Sequence, residues 1–318
     1  MNELKRMNNV VMENIDNDKP LVSIIVITYN SAKYVLETLN SAKEQTYRNI
    51  ELIITDDGSK DNTVQIVETW LSDNHNRFRK SVIVRSEINT GTPKNCNRGL
   101  KASEGEWIKI IAGDDILMPH CIESMLSFSV SKGSLISTSA MNEFCDDNLP
   151  VRLSKTIYLE QMRFFSKKKE EQFQSYLRNS VFLNSPALFI KKELFEKVGY
   201  YDESLKILED TPFILKTLRA GFNIYYNEIP TVRYRTNQKT DHRIDGQISD
   251  SFICFNKYQL PYLSKYKVYD YLIRYDFFLF YQRRISNSII SRFILKNLIK
   301  FTDFIYIKKK IAERLYNH

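Results

Sequence analysis

Neither of the common glycine-rich phosphate loops, Gly-x-x-x-x-Gly-Lys-Ser/Thr or Gly-x-Gly-x-x-Gly, occurs in this chain. If it holds a phosphate, it does so by other means. Cysteine is scarce as well: Cys96, Cys121, Cys145 and Cys254 are far apart and form no C-x-x-C pair, which excludes a zinc ribbon or a disulfide framework and leaves reduced thiols. The stretch from Met1 to Pro20 is polar and Asn-rich without an apolar h-region, so no secretory signal is expected and the chain should start in the cytoplasm. Internal repeats and low-complexity tracts are missing too. The 43% hydrophobic and 26% charged fractions are those of a soluble globular protein, not of a disordered or collagen-like one. Its 318 residues can hold one large α/β domain with an appendage, or two smaller domains.

The net charge of +8 is localised. Between Tyr262 and His318 there are 12 Lys and Arg against 4 Asp and Glu, whereas the remainder holds 34 of each. This tail interleaves its charges with Tyr, Phe, Ile and Leu, and no apolar run in it approaches the roughly 18 residues a spanning helix needs. Amphipathic helices on an anionic membrane surface fit that pattern, and so do helices packed on the preceding domain with a solvated basic face. Nucleic acid is not expected as a partner, because no binding motif accompanies the charge.

Leu21 to Thr28 is a near-continuous β-branched run after Pro20, the pattern of a strand buried on both faces. Further strands are expected at Ile50 to Thr55, Val82 to Arg85 and Trp107 to Ile111, alternating with helices over Ser31 to Gln45, Thr63 to Leu71 and from Cys96 to Ala102. Such alternation predicts right-handed crossovers and a parallel, Rossmann-like sheet up to about Pro119. Beyond it, the spacing predicts a helix over His120 to Ser131, a strand over Leu135 to Met141, and a charged helical stretch over Arg163 to Arg178 that could serve as a mobile flap. Ala187 to Ile190, Ile224 to Tyr226 and Val232 to Arg235 read as strands, Lys192 to Val198 and Asp210 to Ala220 as helices.

The strand Trp107 to Ile111 runs into Ala112-Gly-Asp-Asp115. Two adjacent carboxylates beyond a strand's carboxyl end repel each other unless a proton or cation relieves them, and an oxygen-rich pair suits Mg²⁺ or Mn²⁺. Taken alone, the pair is more readily a turn with a helix cap. Three more signals stand with it: Val26-Ile-Thr-Tyr-Asn30, Thr55-Asp-Asp-Gly-Ser-Lys-Asp-Asn-Thr63, and Asn89-Thr-Gly-Thr-Pro-Lys-Asn-Cys-Asn-Arg-Gly99. Further on come Gly199-Tyr-Tyr-Asp-Glu-Ser, Leu208-Glu-Asp-Thr-Pro-Phe and Tyr234-Arg235. In order and spacing these resemble the family 2 glycosyltransferases of GT-A fold over roughly residues 20 to 240.

The resemblance implies an α/β GT-A domain over 20–245, with a nucleotide-sugar-binding half at 20–119 and a mixed acceptor half at 120–245. A polar tail, 1–19, precedes it, and a basic, aromatic-rich helical region, 246–318, follows. It also implies donor contacts from Thr28, Tyr29 and Asn30, with Tyr29 stacking on a pyrimidine and Asp57 accepting a base N–H, as for uridine. A core tyrosine and a turn aspartate are the structural alternatives, and Asp56 reads as structural. Lys94 can reach a phosphate as a point charge. Asp114 and Asp115 match the last two acidic places of the family's metal motif, for Mn²⁺ or Mg²⁺, and Asp114 would also face the donor.

Two departures stand out. Ala112 replaces the first acidic residue of that motif, and Asn237 stands where many relatives have a metal-binding His, with His242 five residues on. Glu209-Asp210 matches the acidic pair that heads the acceptor-side helix; Asp210 would be the general base of an inverting transfer, against helix capping as the structural alternative. The expected reaction moves a sugar from a nucleotide diphosphate sugar, uridine by preference, to a glycan or lipid-linked acceptor in polysaccharide synthesis. A sugar-1-phosphate nucleotidyltransferase and a catalytically weak nucleotide-sugar-binding module are the competing readings.

Overall fold

The computed structural model describes residues 19–145, 150–151, 161–178, 183, 185–236 and 250–263. Strand β1 (Val22–Thr28) lies between β2 (Ile50–Asp56) and β4 (Trp107–Ala112), all parallel, with β3 (Ser81–Arg85) parallel outside β2. The continuous apolar runs follow from this placement. Alternate side chains enter two separate cores: Ile25, Ile53, Ile108 and Ile110 on one face, and Val22, Ile24, Val26, Leu52, Ile54 and Ile111 on the other. Helices α1 (Val35–Lys43), α2 (Thr63–Asn74) and α3 (Thr92–Ala102) supply the crossovers. Because β1, β2 and β4 are parallel and in register, Thr28 lies opposite Asp56, and Ile27 opposite Ala112, at the sheet's carboxyl edge.

The second half turns the sheet mixed. Its order is β3-β2-β1-β4-β8-β6-β9-β5, with β7 (Pro150–Val151) paired to β6. β8 (Phe189–Lys191) runs antiparallel to both β4 and β6 (Ile136–Phe144), β9 (Tyr225–Arg235) runs parallel to β6, and β5 (Ile116–Leu117) pairs antiparallel with β9. Helix α4 (Cys121–Ser131) follows β5, α5 is Lys169–Arg178, α6 is Lys192–Val198 and α7 is Asp210–Arg219.

Three expectations need correcting. The stretch from Arg163 to Arg178 is no flap: Phe164, Phe173, Tyr176 and Leu177 are core residues, and the Gln172 side chain exchanges two hydrogen bonds with the Ile224 backbone. Its charged surface hid an apolar stripe. Helix α3 begins at Thr92, four residues before Cys96, because Pro93 suits a first helical turn. The two short strands around 224–235 are one, since residues 228–231 are accommodated where the β6–β9 register shifts between Asn227 and Val232, and Pro230 falls there.

Residues 250–263 dock on the domain, burying Cys254, Phe255 and Leu263. Among the described residues no helix is long and apolar enough to cross a membrane. The expectation for the basic tail falls almost wholly outside the described residues, as do Asn237 and His242.

Candidate active site

Two adjacent aspartates, Asp56 closing β2 and Asp57 following it, have separate duties. Asp56 accepts hydrogen bonds from Thr28 Oγ1 (3.0 Å), from the Gly58 and Ser59 amides and from Ser59 Oγ, which in turn accepts from the Asn30 amide at 2.9 Å. It therefore ties the β1 and β2 loops together. Asn30 itself adopts φ 51 and accepts from the Lys60 amide, so its side chain shapes the turn. Thr28 is buried, whereas Tyr29, 46% exposed, and Asn30 both reach solvent.

Asp57 is buried and faces the 89–98 segment. Its carboxylate accepts from the Thr90 amide and hydroxyl, from the Gly91 amide (2.8 Å) and from Arg98 Nη2 (2.6 Å). Arg98 also holds Thr90 and Asn95, and Asn95 donates to the Thr28 and Thr55 carbonyls. A base N–H would have to share Asp57 with this network. Lys94 is half-buried and makes no hydrogen bond or ion pair among the described residues, so its ammonium is uncommitted.

The carboxylates after β4 are unequal. Asp114 is half-exposed; Asp115 is 1% exposed. Asp115 Oδ1 accepts the Arg235 amide at 2.9 Å, while its Oδ2 is buried without a hydrogen-bond partner. Burial first, and then the Asp114 charge, push the Asp115 carboxyl up to about 8. Arg235 donates through Nε to the Asp114 carbonyl and through Nη2 to Glu37, and its guanidinium lies over the Tyr34 and Phe144 rings. Below them Lys109 is fully buried on β4 and donates to the Pro186 and Leu188 carbonyls. Burial lowers its ammonium's affinity for the proton, opposed by nearby Asp115.

Asp210 occupies the first turn of α7, where its Oδ1 accepts the Thr211 amide at 2.6 Å. That bond satisfies one free helical N–H, as the capping alternative requires, yet Oδ2 makes no hydrogen bond among the described residues. Desolvation raises the Asp210 carboxyl above the usual carboxylate range. This loop and the donor-side loop meet: the Thr92 amide donates to the Lys206 carbonyl at 2.7 Å. Buried Cys96 lies between them, its thiol pushed up by burial, then by Glu209, with Asp57 adding to the effect.

A model of the family described as "Glycosyl transferase family 2" matches residues 23–199. The chain belongs to that family. An uncharacterised glycosyltransferase of Rickettsia typhi is 31% identical over 219 residues, covering 69% of this chain and 64% of the relative. Glycosyltransferase GlyG of Streptococcus pneumoniae is 28% identical over 196 residues, covering 57% of this chain and 60% of its own. The matches thus span a little under two thirds of those relatives. Among solved structures, S. aureus TarS 1-349 in complex with UDP-GlcNAc superposes with a TM-score of 0.56 at 20% identity, covering 85% of this chain and 74% of that TarS 1-349 chain. The mostly parallel sheet with a mixed second half is the GT-A fold.

In this family 2 chain the carboxyl edge of β1, β2 and β4 carries Thr28, Asp57 and the Asp114-Asp115 turn, and α3 and the 206–208 backbone link that edge to Asp210. Sequence reasoning passed over Arg98 and Asn97. Asn97 donates to the Tyr201 carbonyl and accepts its amide, which holds the Gly199-Tyr-Tyr segment against α3. Both stand inside the quoted 89–99 motif, so the signal was present without a partner to interpret it. Arg235 was named only for its motif, and nothing local indicated that it would brace Asp115.

Proposed function

We propose that this chain transfers a sugar from a uridine diphosphate sugar to an acceptor hydroxyl with inversion at the anomeric carbon. The observation that carries this reading is Asp210: a carboxylate with raised proton affinity and one uncommitted oxygen, on a loop hydrogen-bonded to the donor-side loop. The acceptor hydroxyl gives its proton to Asp210 as its oxygen bonds to the anomeric carbon. The bond from that carbon to the diphosphate oxygen breaks, and the nucleoside diphosphate leaves with the electron pair. Tyr29, exposed beside Asp57, offers the base a stacking face, and Lys94 offers the diphosphate a point charge.

The residues after β4 fit a divalent cation. Asp115 has a buried, unpartnered oxygen and Asp114 an adjacent half-exposed carboxylate. Among the described residues no group of three or more His, Cys, Asp or Glu surrounds a single point, so water and diphosphate would complete the shell, as suits Mg²⁺ or Mn²⁺. Asp114 and Asp115 would hold the ion, which would supply positive charge to offset that of the leaving diphosphate.

The TarS neighbour's complex with UDP-GlcNAc supports a uridine donor, hexosyl or N-acetylhexosaminyl. A glycan or lipid-linked acceptor in polysaccharide synthesis, reached from the cytoplasmic membrane surface through the basic 262–318 region, suits the charge distribution. Ala112 favours a second reading, a nucleotide-sugar-binding module without turnover. Thermal-shift measurements with UDP-sugars, with and without Mn²⁺, followed by NMR of the product's anomeric configuration, test both. Inverted product supports transfer; retained configuration overturns the mechanism, and donor binding without any hydrolysis favours the module.

A further inference from the structure

The loop carrying Asp210 is held from outside the segment that matches the family model, which ends at residue 199. The amides of Lys206, Ile207 and Leu208 all donate to one oxygen, Oδ2 of Asp250, at 2.8, 2.6 and 3.0 Å. Asp250 is 2% exposed and opens the helical segment 250–259, whose Cys254 and Phe255 are buried in the domain. Three consecutive N–H groups converging on a buried carboxylate form an anion nest, in which each hydrogen bond is charge-assisted. The same segment grips the loop a second time, since Lys257 Nζ and Tyr258 Oη both donate to Asp202 Oδ2, at 2.8 and 2.7 Å. Leu208 is followed directly by Glu209 and Asp210. On its other side the loop meets the donor-side segment through the Thr92 amide and the Lys206 carbonyl. Asp250 therefore settles where the backbone of 206–208 sits between the donor segment and the first turn of α7.

We propose that Asp250 is a positioning residue for sugar transfer: its carboxylate gathers the 206–208 amides and so sets the place of Asp210 against the donor. This rests on the reading of Asp210 as the base. None of the proposed donor contacts Tyr29, Asp57 and Lys94 is hydrogen-bonded to Asp250 among the described residues, so its loss should affect the chemical step and leave donor binding alone.

The test compares Asp250→Asn, Asp210→Asn and the double variant in the full chain. The donor is whichever of UDP-GlcNAc, UDP-glucose and UDP-galactose the wild type hydrolyses fastest with Mn²⁺. Asp250→Asn should lower kcat roughly 10- to 100-fold, the range expected when a reacting group is misplaced by about an ångström, with the donor's Kd unchanged. Amide exchange should quicken at 206–208 and not in β1 or β2. If Asp250 acts through Asp210, the double variant should be no slower than Asp210→Asn alone. Normal kcat in Asp250→Asn, or full multiplication of the two losses, overturns the proposal while leaving the base intact. Near-normal turnover of Asp210→Asn instead overturns the base reading, and the positioning role with it. Should Asp250→Asn fail to fold, Asp250→Glu, which keeps the charge on a longer stem, supplies the same comparison.

Discussion

Replacing Gly91 by alanine tests how tightly the donor-side and base-side loops are joined. Gly91 has φ 98 and ψ 159, a region that only glycine adopts readily, and a side chain there costs about 1–3 kcal/mol. Geometry adds to this. A Cβ on Gly91 would lie 2.6 Å from the Lys206 carbonyl oxygen and 2.9 Å from its Cα, both backbone atoms that cannot swing aside. The Lys206 loop would have to retreat, lengthening the 2.7 Å hydrogen bond from Thr92, whose loss costs about 1 kcal/mol. The sum is roughly 2–4 kcal/mol before any further distortion, or a fall in Tm of about 2 to 4 °C for each kcal/mol. Gly133 is the control, because its φ is 58 and nothing lies within 4 Å of an added Cβ. Gly133→Ala should show the conformational cost alone, about 1–2 kcal/mol. Urea and thermal melts followed by circular dichroism measure both. Equal losses at the two positions would refute the claim that Gly91 marks a close backbone contact. Transfer by Gly91→Ala should fall more than its donor affinity does, since the displaced loop leads to Asp210.

Asp210→Asn should lower kcat by about 10²- to 10⁴-fold with donor binding retained, and wild-type kcat should fall on the acid side with a midpoint above the ordinary Asp value of about 3.9; a wild-type profile flat through that range removes Asp210 from the reaction. Asp114→Asn should abolish the Mn²⁺ dependence of donor binding, and activity that survives exhaustive chelation would contradict the metal assignment. In metal-free protein the Asp115 carboxyl keeps its proton up to about pH 8 in the folded state and releases it near pH 4 when unfolded. Its stabilisation is therefore full below about pH 4 and lost as pH rises towards 8, by at most about 1.4 kcal/mol per unit, and denaturant titrations of Asp115→Asn should show that slope removed. Deleting Ser286 to His318 should release the protein from anionic liposomes with donor hydrolysis intact; a full-length chain that ignores such liposomes at low salt assigns the tail another role.

What could be read from the sequence was whatever depends on near neighbours. The β-branched run from Val22 to Thr28 had to be a two-faced buried strand, because every residue along it is apolar or small and period-two alternation sends half of them to each core. The order of the four motifs then led to the parallel half, the carboxyl-edge turns and the family. Folding decided the rest by bringing together residues far apart in the chain. Asp115 and Arg235 meet because β5 pairs with β9, a contact that no local periodicity encodes. Lys109 looks like any strand residue until the Pro186 and Leu188 carbonyls arrive to receive its ammonium. Likewise the flap expected from a charged stretch became core once Phe173, Tyr176 and Leu177 found the face of α7. Asp250 and the Lys206 to Leu208 amides stand 42 to 44 residues apart, with α7 and β9 between them. Only the docking of 250–263 on the domain turns an unremarkable aspartate into the anchor of the loop that bears Asp210.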